Sequence, residues 1–474
     1  MKTREELFTL GRESLPALVD LSMDWQTQLE ILQARVAQTS RNSSKPPSTD
    51  GYIKPAPQSL RKPSGRKSGG QPDHPGATLK PIDKPDVIIP HRLTRCSCGC
   101  GRSLRKQPVL RHEKRQVFDL PPQKLIVTEH QAEVKRCPIS QREITADFPV
   151  DVTAPVQYGS HLYAWWVYLR VQQLIPLERI SQMTEDLFGQ AVSQATLQAA
   201  LLAASQRLAG FETRVKQLLE QAPLVHTDET GLRVAGKLHW LHNLSTRWLT
   251  WYGVHPKRGT EAIEDFGILE QFTGRLVHDC YSSYFTLKNC LHALCNAHFL
   301  RELVFLHEVL HQEWAKKMHD LLLEMLRAVA KRKECADRFT AAQLAPWIKR
   351  YRALLRQGRL ANPPLPPPPS PRRGRRKQSK AQNLLDRLTL HQRSALAFLH
   401  DFQVPFTNNR SEQDLRMMKV QQKISGTFRT FQGAQIFARL RSYVSTVRKH
   451  QRNVFQDLAT LFTGRPFMPR APAC

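Results

Sequence analysis

The sequence lacks the long apolar runs that a membrane-spanning protein needs. No stretch of 18 or more uncharged apolar residues occurs in it, and the most apolar segment, residues 162–175, is interrupted by Arg170. The chain begins MKTREELF, without an apolar signal core, so we expect a protein that stays inside the cell. No membrane partner is expected.

Cysteine and acidic residues are both scarce. The nine cysteines are an odd number and several are scattered, which argues against a disulfide framework. The 41 acidic residues are outnumbered by 70 lysines and arginines, which leaves a formal net charge of +29. An excess of this size repels itself unless a polyanion is bound, so nucleic acid is the leading expected partner.

Length and composition predict several domains. The 474 residues are more than one typical domain contains, and the 41% hydrophobic residues can fill at least one large core. The predicted order is a coiled-coil helix (1–40), a basic disordered linker (41–90), a small zinc-finger-like β module (91–150), a helical region (151–220), a larger α/β domain (221–461) with a helical insertion at about 291–384, and a tail (462–474).

The N-terminal segment carries a coiled-coil pattern. Its apolar residues recur in steps of three, four and seven, which is typical of an a/d seam. They are Leu18, Trp25, Leu29, Leu32 and Val36. The pattern fits self-association and packing on the chain's own domain equally well.

Four cysteines occur in the predicted β module. Cys96, Cys98, Cys100 and Cys137 match the number of ligands in a structural zinc site, and the segments 115–120 and 125–134 alternate like strands. The spacing is irregular, since the first group is C-x-C-x-C and the second has one cysteine. The residues therefore fit either a zinc site or a module that folds without metal.

Residues 176–204 predict two helices joined by a turn at Gly189, with Ser193 capping the second helix. This arrangement is typical of a helix-turn-helix, whose second helix would offer Gln194, Thr196 and Gln198 to a DNA major groove. A helical bundle without any DNA contact can produce the same pattern.

A different texture begins at Pro223. The runs LVHTDET, KLHWLHNLS and RWLTWYGV predict three consecutive strands, a helix follows near 261–269, and GRLVHDC predicts a fourth strand ending at Asp279. The chain is predicted to be helical from Cys290 to Tyr351 and again over 383–461. The order of three strands, helix, strand and later helices is that of an RNase H-like α/β core.

Three carboxylates fall where such a core places metal ligands. Asp228 lies in the middle of the first predicted strand, Asp279 at the end of the fourth, and Glu412 on a later helix. Three converging acids repel one another without cations, so the pattern predicts two Mg²⁺ or Mn²⁺ ions. Such a pair activates a water or a 3′-hydroxyl against a phosphodiester and stabilises the leaving oxygen.

Each acid also has a structural explanation when taken alone. Asp228 fits a solvated turn, Asp279 fits a cap of the segment from Tyr281, and Glu412 fits the acidic first turn of a helix after Asn408. Together with the strand order and the charge, the three favour a metal site.

Two further motifs contain histidine. Residues 307–311 spell H-E-x-x-H, the zinc metalloprotease signature, but a protease has no use for the basic arm or the net charge, so a structural helix is favoured. Cys295 and His298 are spaced to share a helix face and fit either a packing pair or a site near the phosphate. Cys290 and His292 extend this cluster, and a second zinc site there is not expected.

Basic residues cluster near the predicted acids. Those expected to contact the DNA backbone are Arg372, Arg373, Arg375 and Arg376, in a proline-rich break, and Arg416 and Lys419, on the helix of Glu412. A solvated helix face is the alternative for the last two.

Several unconnected strings resemble one protein family. TSRNSSKPPSTDGY, HTDET, HDCYSSY, CNAHFLREL and NNRSEQDLRMMK are similar, in this order, to motifs of the insertion-sequence sixty-six family of bacterial DDE transposases. The likeness runs from about residue 25 to residue 461. It departs from the family at the second cysteine knuckle, where only Cys137 is present.

The resemblance implies a metal-dependent enzyme that cleaves DNA at element ends and joins it to target DNA. The family's catalytic triad maps onto Asp228, Asp279 and Glu412, and its similar C-x2-H pair suggests His298 near the reacting phosphate. It also implies double-stranded DNA as partner, a homo-oligomer, possible accessory proteins of the same element, and a place at the bacterial nucleoid. A transposase relic that binds DNA without catalysis is the alternative.

Overall fold

The computed structural model describes residues 79–121, 123–363 and 378–470, with isolated positions at 25, 29, 32, 33, 36–39 and 42. Of the predicted seam, Trp25, Leu29, Leu32 and Val36 are helical and exposed, whereas Leu18 lies outside the described residues. Most of the basic linker and all four arginines from Arg372 to Arg376 also lie outside them. The coiled coil therefore stays a prediction.

The chain divides into two compact units, the smaller comprising residues 56–128 and 187–189 and the larger comprising the rest. In the smaller unit an isolated antiparallel bridge joins Arg95 to Ser103 and closes the loop of Cys96, Cys98 and Cys100. The amide of Cys96 also donates to the carbonyl of Arg102 at 3.0 Å.

The strands expected at 115–120 and 125–134 are wrong apart from the last residue of the second segment. The described residues of both segments form no strand before β1 (Val134–Arg136), which pairs antiparallel with β2 (Glu143–Thr145). Val117 and Ile126 are 90% and 88% exposed. Alternating apolar and polar residues do not form a strand where no partner strand or packed face is available.

Five strands of the larger unit form one mixed sheet in the order β5-β4-β3-β6-β7. Their bounds are β3 (Leu224–Val234), β4 (Lys237–Ser245), β5 (Thr250–His255), β6 (Arg275–His278) and β7 (Leu291–Leu294). β3, β4 and β5 are antiparallel neighbours, whereas β3–β6 and β6–β7 are parallel. The predicted α/β class is confirmed.

Helices follow the strands and also precede them. They are α1 (Ser160–Val167), continued by a π-helical turn (Tyr168–Gln172), α2 (Leu177–Phe188), α3 (Gln194–Arg207), α4 (Ala209–Glu220), α5 (Thr260–Phe266), a 3-10 turn (Ser282–Thr286), α6 (Asn296–Glu308), α7 (Glu313–Arg332), α8 (Ala341–Ala361), α9 (Lys380–Leu390), α10 (Gln392–Ala395), α11 (Ala397–His400), α12 (Asn409–Ser425), α13 (Phe431–Lys449) and α14 (Val454–Phe462). Among the described residues, none of these helices combines the length and apolar character needed to cross a membrane.

One prediction in this region is wrong. The chain is not helical from Cys290, because residues 291–294 form β7 and α6 begins only at Asn296. A four-residue apolar run has too few positions for its period to separate strand from helix. The parallel pairing with β6 decides the outcome.

The sheet is covered on more than one side, which explains its buried strands. Every residue of β5 is buried. Helix α13 packs on this strand, and its Ser442 and Thr446 hydroxyls accept hydrogen bonds from the backbone amides of Tyr252 and Thr250 at 2.9 Å and 3.1 Å. A second core lies within helices α6–α11, where Tyr351 is fully buried.

Candidate active site

Two parallel strands bring Asp228 and Asp279 to neighbouring positions. His226 of β3 pairs with Val277 of β6. Two residues further along each chain lie Asp228, in the middle of β3, and Asp279, directly after β6. Adjacent strands are about 5 Å apart, so Asp228 and Asp279 occupy neighbouring positions in the sheet.

Each of these acids also makes a local hydrogen bond. An Asp228 carboxylate oxygen accepts from the amide of Glu229 at 2.9 Å, and one of Asp279 accepts from the amide of Tyr281 at 3.0 Å. The cap expected for Asp279 is therefore present. Asp228 does not lie in a turn, since β3 continues to Val234.

Electrostatics connect Asp228 with the other acids. Burial raises the pKa of Asp228 well above its ordinary range, and the charges of Glu229, Asp279 and Glu412 raise the pKa further. The carboxylates are therefore close enough for the other acids to act on Asp228. A divalent cation would relieve the repulsion, so the donor set fits a hard metal ion.

Helix α12 carries Glu412 in its first turn. The preceding residue Asn408 is buried, and its side chain does not cap this helix. It donates instead to the carbonyl of Thr227 at 2.7 Å and bonds the His226 ring at 2.9 Å. Asn408 thereby fixes the start of α12 against β3, next to Asp228.

Glu412 faces two different neighbours. Its Oε1 atom lies 3.9 Å from the Cys295 sulfur, and its Oε2 atom lies 4.0 Å from the Arg301 guanidinium. Within the described part of the chain, ligand atoms of Cys295, His298 and Glu412 all lie within 4.8 Å of one another, and the three carboxylates do not form such a close group.

A cavity of about 220 Å³ opens beside Asp279. Cys280, Tyr281, Cys295 and His298 contribute to its lining. Burial and the Arg301 charge lower the pKa of His298, so its imidazole is neutral at neutral pH. His298 thus lies on the same cavity as one of the predicted metal ligands.

Sequence reasoning missed a buried ion pair behind Asp228. Glu229 has no exposed side-chain surface, pairs with Arg258 at 2.6 Å and accepts the Tyr284 hydroxyl. The Arg258 guanidinium lies 4.1 Å from the Tyr281 ring centroid. Adjacent strand residues face opposite sides, so an acid directly after Asp228 in a buried strand was the available signal.

The remaining histidine motifs are structural. His292 lies on β7, not on a helix, and its Nδ1 atom is 3.0 Å from Nε2 of the buried His278. In the H-E-x-x-H string, α6 ends at Glu308, and His311 has a left-handed φ of 51°. The two histidines of that string therefore do not share a helix face, and the metalloprotease geometry is absent.

The predicted zinc ligands lie in two places along the chain. Cys96, Cys98 and Cys100 form a group within 4.8 Å, and a hydrogen bond with Cys96 lowers the pKa of Cys98 to about 7. Cys137 lies in the turn between β1 and β2, where the amide of Ser140 points to its sulfur at 3.5 Å. Hydrogen bonds from the Ser140 residue lower the pKa of Cys137. The thiols of Cys98 and Cys137 are therefore suited to metal binding.

The predicted DNA contacts occupy two helices. The turn at Gly189 and the Ser193 cap of α3 occur as expected, and Gln194 and Gln198 are exposed there. Thr196 is half-buried, and its hydroxyl is 2.9 Å from that of Ser193.

On α12, Arg416 and Lys419 are exposed. The Lys419 ammonium also donates to the carbonyl of Gly231 at 3.1 Å. Both side chains lie C-terminal to Glu412 on the helix that carries it.

The family of this protein follows from sequence models. Residues 155–436 match the model of the transposase IS66 family, and residues 94–139 match the zinc-finger binding domain of transposase IS66. Residues 13–80 match a family of unknown function, DUF6444. No curated protein matches the chain.

The chain that contains this α/β sheet and, in its smaller unit, the cysteine group is thus a transposase. The chain belongs to the IS66 family. Membership supports a transposase function with DNA as the partner, and the zinc-finger match together with the Cys96, Cys98 and Cys100 group supports zinc binding.

Proposed function

We propose that this transposase cleaves DNA at the ends of its element and transfers the strand to target DNA at a DDE site. The observation that carries the proposal is that the charges of Asp279 and Glu412 add to burial in raising the pKa of Asp228. The sheet order supports an RNase H-like core, because three antiparallel strands are followed by two parallel ones beside β3.

Asp228, Asp279 and Glu412 would hold two Mg²⁺ or Mn²⁺ ions. When bound, such ions activate a water or a 3′-hydroxyl and stabilise the leaving oxygen of the phosphodiester. Hydrolysis and strand transfer are both in-line displacements at phosphorus, so one site serves both steps.

The chain's own residues have defined tasks in this proposal. Asn408 holds α12 on β3 and so keeps Glu412 near Asp228. The neutral His298 lines the cavity that contains Asp279 and is positioned to exchange a proton there. Arg416 and Lys419, exposed on the helix of Glu412, contact the DNA backbone.

The remaining parts would recognise and assemble the DNA. Helix α3 presents Gln194, Thr196 and Gln198 to the element ends, and the arginines between 372 and 376 add backbone contacts. The N-terminal helix supports a homo-oligomer, because two ends are handled together. Accessory proteins of the same element and a location at the nucleoid belong to the same proposal.

The test is a cleavage and strand-transfer assay with Mg²⁺ on DNA that contains element ends. Asp279→Asn is expected to abolish cleavage and retain DNA binding, because it removes a metal ligand. Asp320→Asn is the matched control, since Asp320 pairs with Lys316 on α7 and is exposed. Unchanged cleavage by Asp279→Asn refutes the DDE site. A wild-type protein that binds the ends and never nicks them is a DNA-binding relic.

A further inference from the structure

Three chemically different side chains meet beside the acid site. Cys295 precedes α6, His298 lies in the first turn of α6, and Glu412 lies in the first turn of α12. One ligand atom from each lies within 4.8 Å of the others. Cys295 is buried, whereas His298 and Glu412 are half-buried.

The group has unused bonding capacity. The His298 Nδ1 atom is buried and has no hydrogen-bond partner among the residues that the structure describes. The Cys295 sulfur receives the amide of Asn408 at 3.1 Å, a bond that a thiolate also accepts. Arg301 approaches only the other oxygen of Glu412, which leaves Oε1 facing the sulfur.

The geometry is close to that of a tetrahedral site. Zinc–sulfur and zinc–oxygen bonds of about 2.3 Å and 2.1 Å place sulfur and oxygen roughly 3.6 Å apart around a tetrahedral ion. The observed distance between Cys295 Sγ and Glu412 Oε1 is 3.9 Å. A contraction of a few tenths of an ångström would bring this pair to the tetrahedral separation, and the pairs with His298 lie within 4.8 Å.

We propose that Cys295, His298 and Glu412 form a binding site for a borderline divalent cation such as Zn²⁺ or Co²⁺. A thiolate and an imidazole suit these ions, whereas Mg²⁺ prefers an all-oxygen set. The cavity beside the site provides a fourth position for water, since Cys295 and His298 both line it. On binding, the Cys295 thiol loses its proton to solvent.

Occupation of this site has a consequence for the enzyme. A cation bound there uses the Oε1 atom of Glu412. Because the DDE site also needs Glu412 as a ligand, the borderline cation inhibits Mg²⁺-dependent cleavage. This consequence rests on the proposed function, whereas the binding itself does not.

The binding is tested with the full-length protein and Co²⁺, whose bond to a thiolate gives charge-transfer absorption in the near ultraviolet. We compare the wild type with Cys295→Ser and use Cys290→Ser as the control, because Cys290 is also buried and lies outside the group. The zinc-finger cysteines contribute equally to all three spectra. One equivalent of thiolate–cobalt absorption is expected to disappear in Cys295→Ser and to remain in Cys290→Ser.

A second variant covers the case in which Cys295→Ser does not fold. His298→Gln keeps the thiol and removes the nitrogen ligand, and it is expected to weaken Co²⁺ binding at this site at least about tenfold. Equal thiolate–cobalt absorption in the wild type, Cys295→Ser and His298→Gln overturns the proposal.

Inhibition is measured separately, as the ratio of cleavage with and without micromolar Zn²⁺ in the presence of Mg²⁺. The wild type is expected to lose cleavage on Zn²⁺ addition, and Cys290→Ser to lose it equally. Cobalt binding without any cleavage activity contradicts only the proposed function. Absence of the Cys295-dependent absorption contradicts only the metal site.

Discussion

Removing the charge of Asp228 should stabilise the metal-free protein. Asp228 is half-buried beside three other acids, and among the residues that the structure describes its carboxylate accepts one hydrogen bond, from the Glu229 amide. Asparagine preserves the shape and can still accept that hydrogen bond. Each unit by which burial and like charges raise a carboxyl pKa in the folded state costs about 1.4 kcal/mol once the group is ionised, so Asp228→Asn should raise the free energy of unfolding by at least about this amount at neutral pH.

The pH dependence gives the sign of the effect. Because the folded-state pKa of Asp228 is raised, the folded protein binds this proton more tightly than the unfolded chain does. Wild-type stability therefore falls as pH increases from the unfolded pKa, about 3.9, through the folded pKa. The advantage of Asp228→Asn should be absent in acid and complete above the folded pKa.

Thermal unfolding in the presence of a chelator measures this difference. For the larger unit of roughly 400 residues, 1 kcal/mol shifts the Tm by about 1 °C, so a gain of one to a few degrees is expected at neutral pH. Mg²⁺ should raise the Tm of the wild type more than that of the variant. Asp320→Asn, which removes an exposed charge, should change the free energy of unfolding by less than about 0.5 kcal/mol.

Two results would refute this reasoning. A variant that is no more stable than the wild type at neutral pH shows that Asp228 is not under electrostatic strain. An equal gain in acid and at neutral pH shows that the effect comes from packing and not from charge.

Two further predictions concern the ion pair and the cysteine loop. Arg258→Ala should lower the free energy of unfolding by about 2–3 kcal/mol, because Glu229 stays buried without a cation. The expected loss is smaller than the roughly 3–5 kcal/mol for breaking a fully buried pair, because the Arg258 side chain is 38% exposed. Chemical denaturation measures this loss. The control is Arg350→Ala, which breaks an exposed ion pair and should lower the free energy of unfolding by less than about 1 kcal/mol. Equal losses in the two variants contradict the prediction. Cys98→Ser should reduce bound zinc, measured by atomic absorption, and weaken binding to element ends. Cys335→Ser, an exposed cysteine outside this loop, should retain the metal, and equal zinc content in both variants argues against the site.

Local sequence signals located the candidate acids within their elements. Alternating apolar residues predicted the strand around Asp228, an apolar run followed by an acid predicted the strand end at Asp279, and polar residues before Glu412 predicted the start of a helix. These signals act over a few residues, where backbone preference and side-chain periodicity dominate. The structure contains all three elements.

Contacts between distant segments had no such signal. The sequence assigned β7 to a helix because only its pairing with β6 makes it a strand. It gave no warning that Asn408 would bond Thr227, 181 residues away, in place of capping its own helix. Sequence patterns report the period of a face and not the partner that the face meets.

The sequence by itself determined the charge and most of the order of elements in the α/β domain, and it predicted the three acids as metal ligands. Only the tertiary structure decided which groups lie together: Glu229 with Arg258, and Glu412 with Cys295 and His298. Distances between groups on separate elements depend on how the sheet and helices pack. The chemistry available beside Glu412 is therefore a property of the folded chain, because it requires Cys295 before α6, His298 on α6 and Glu412 on α12 to meet.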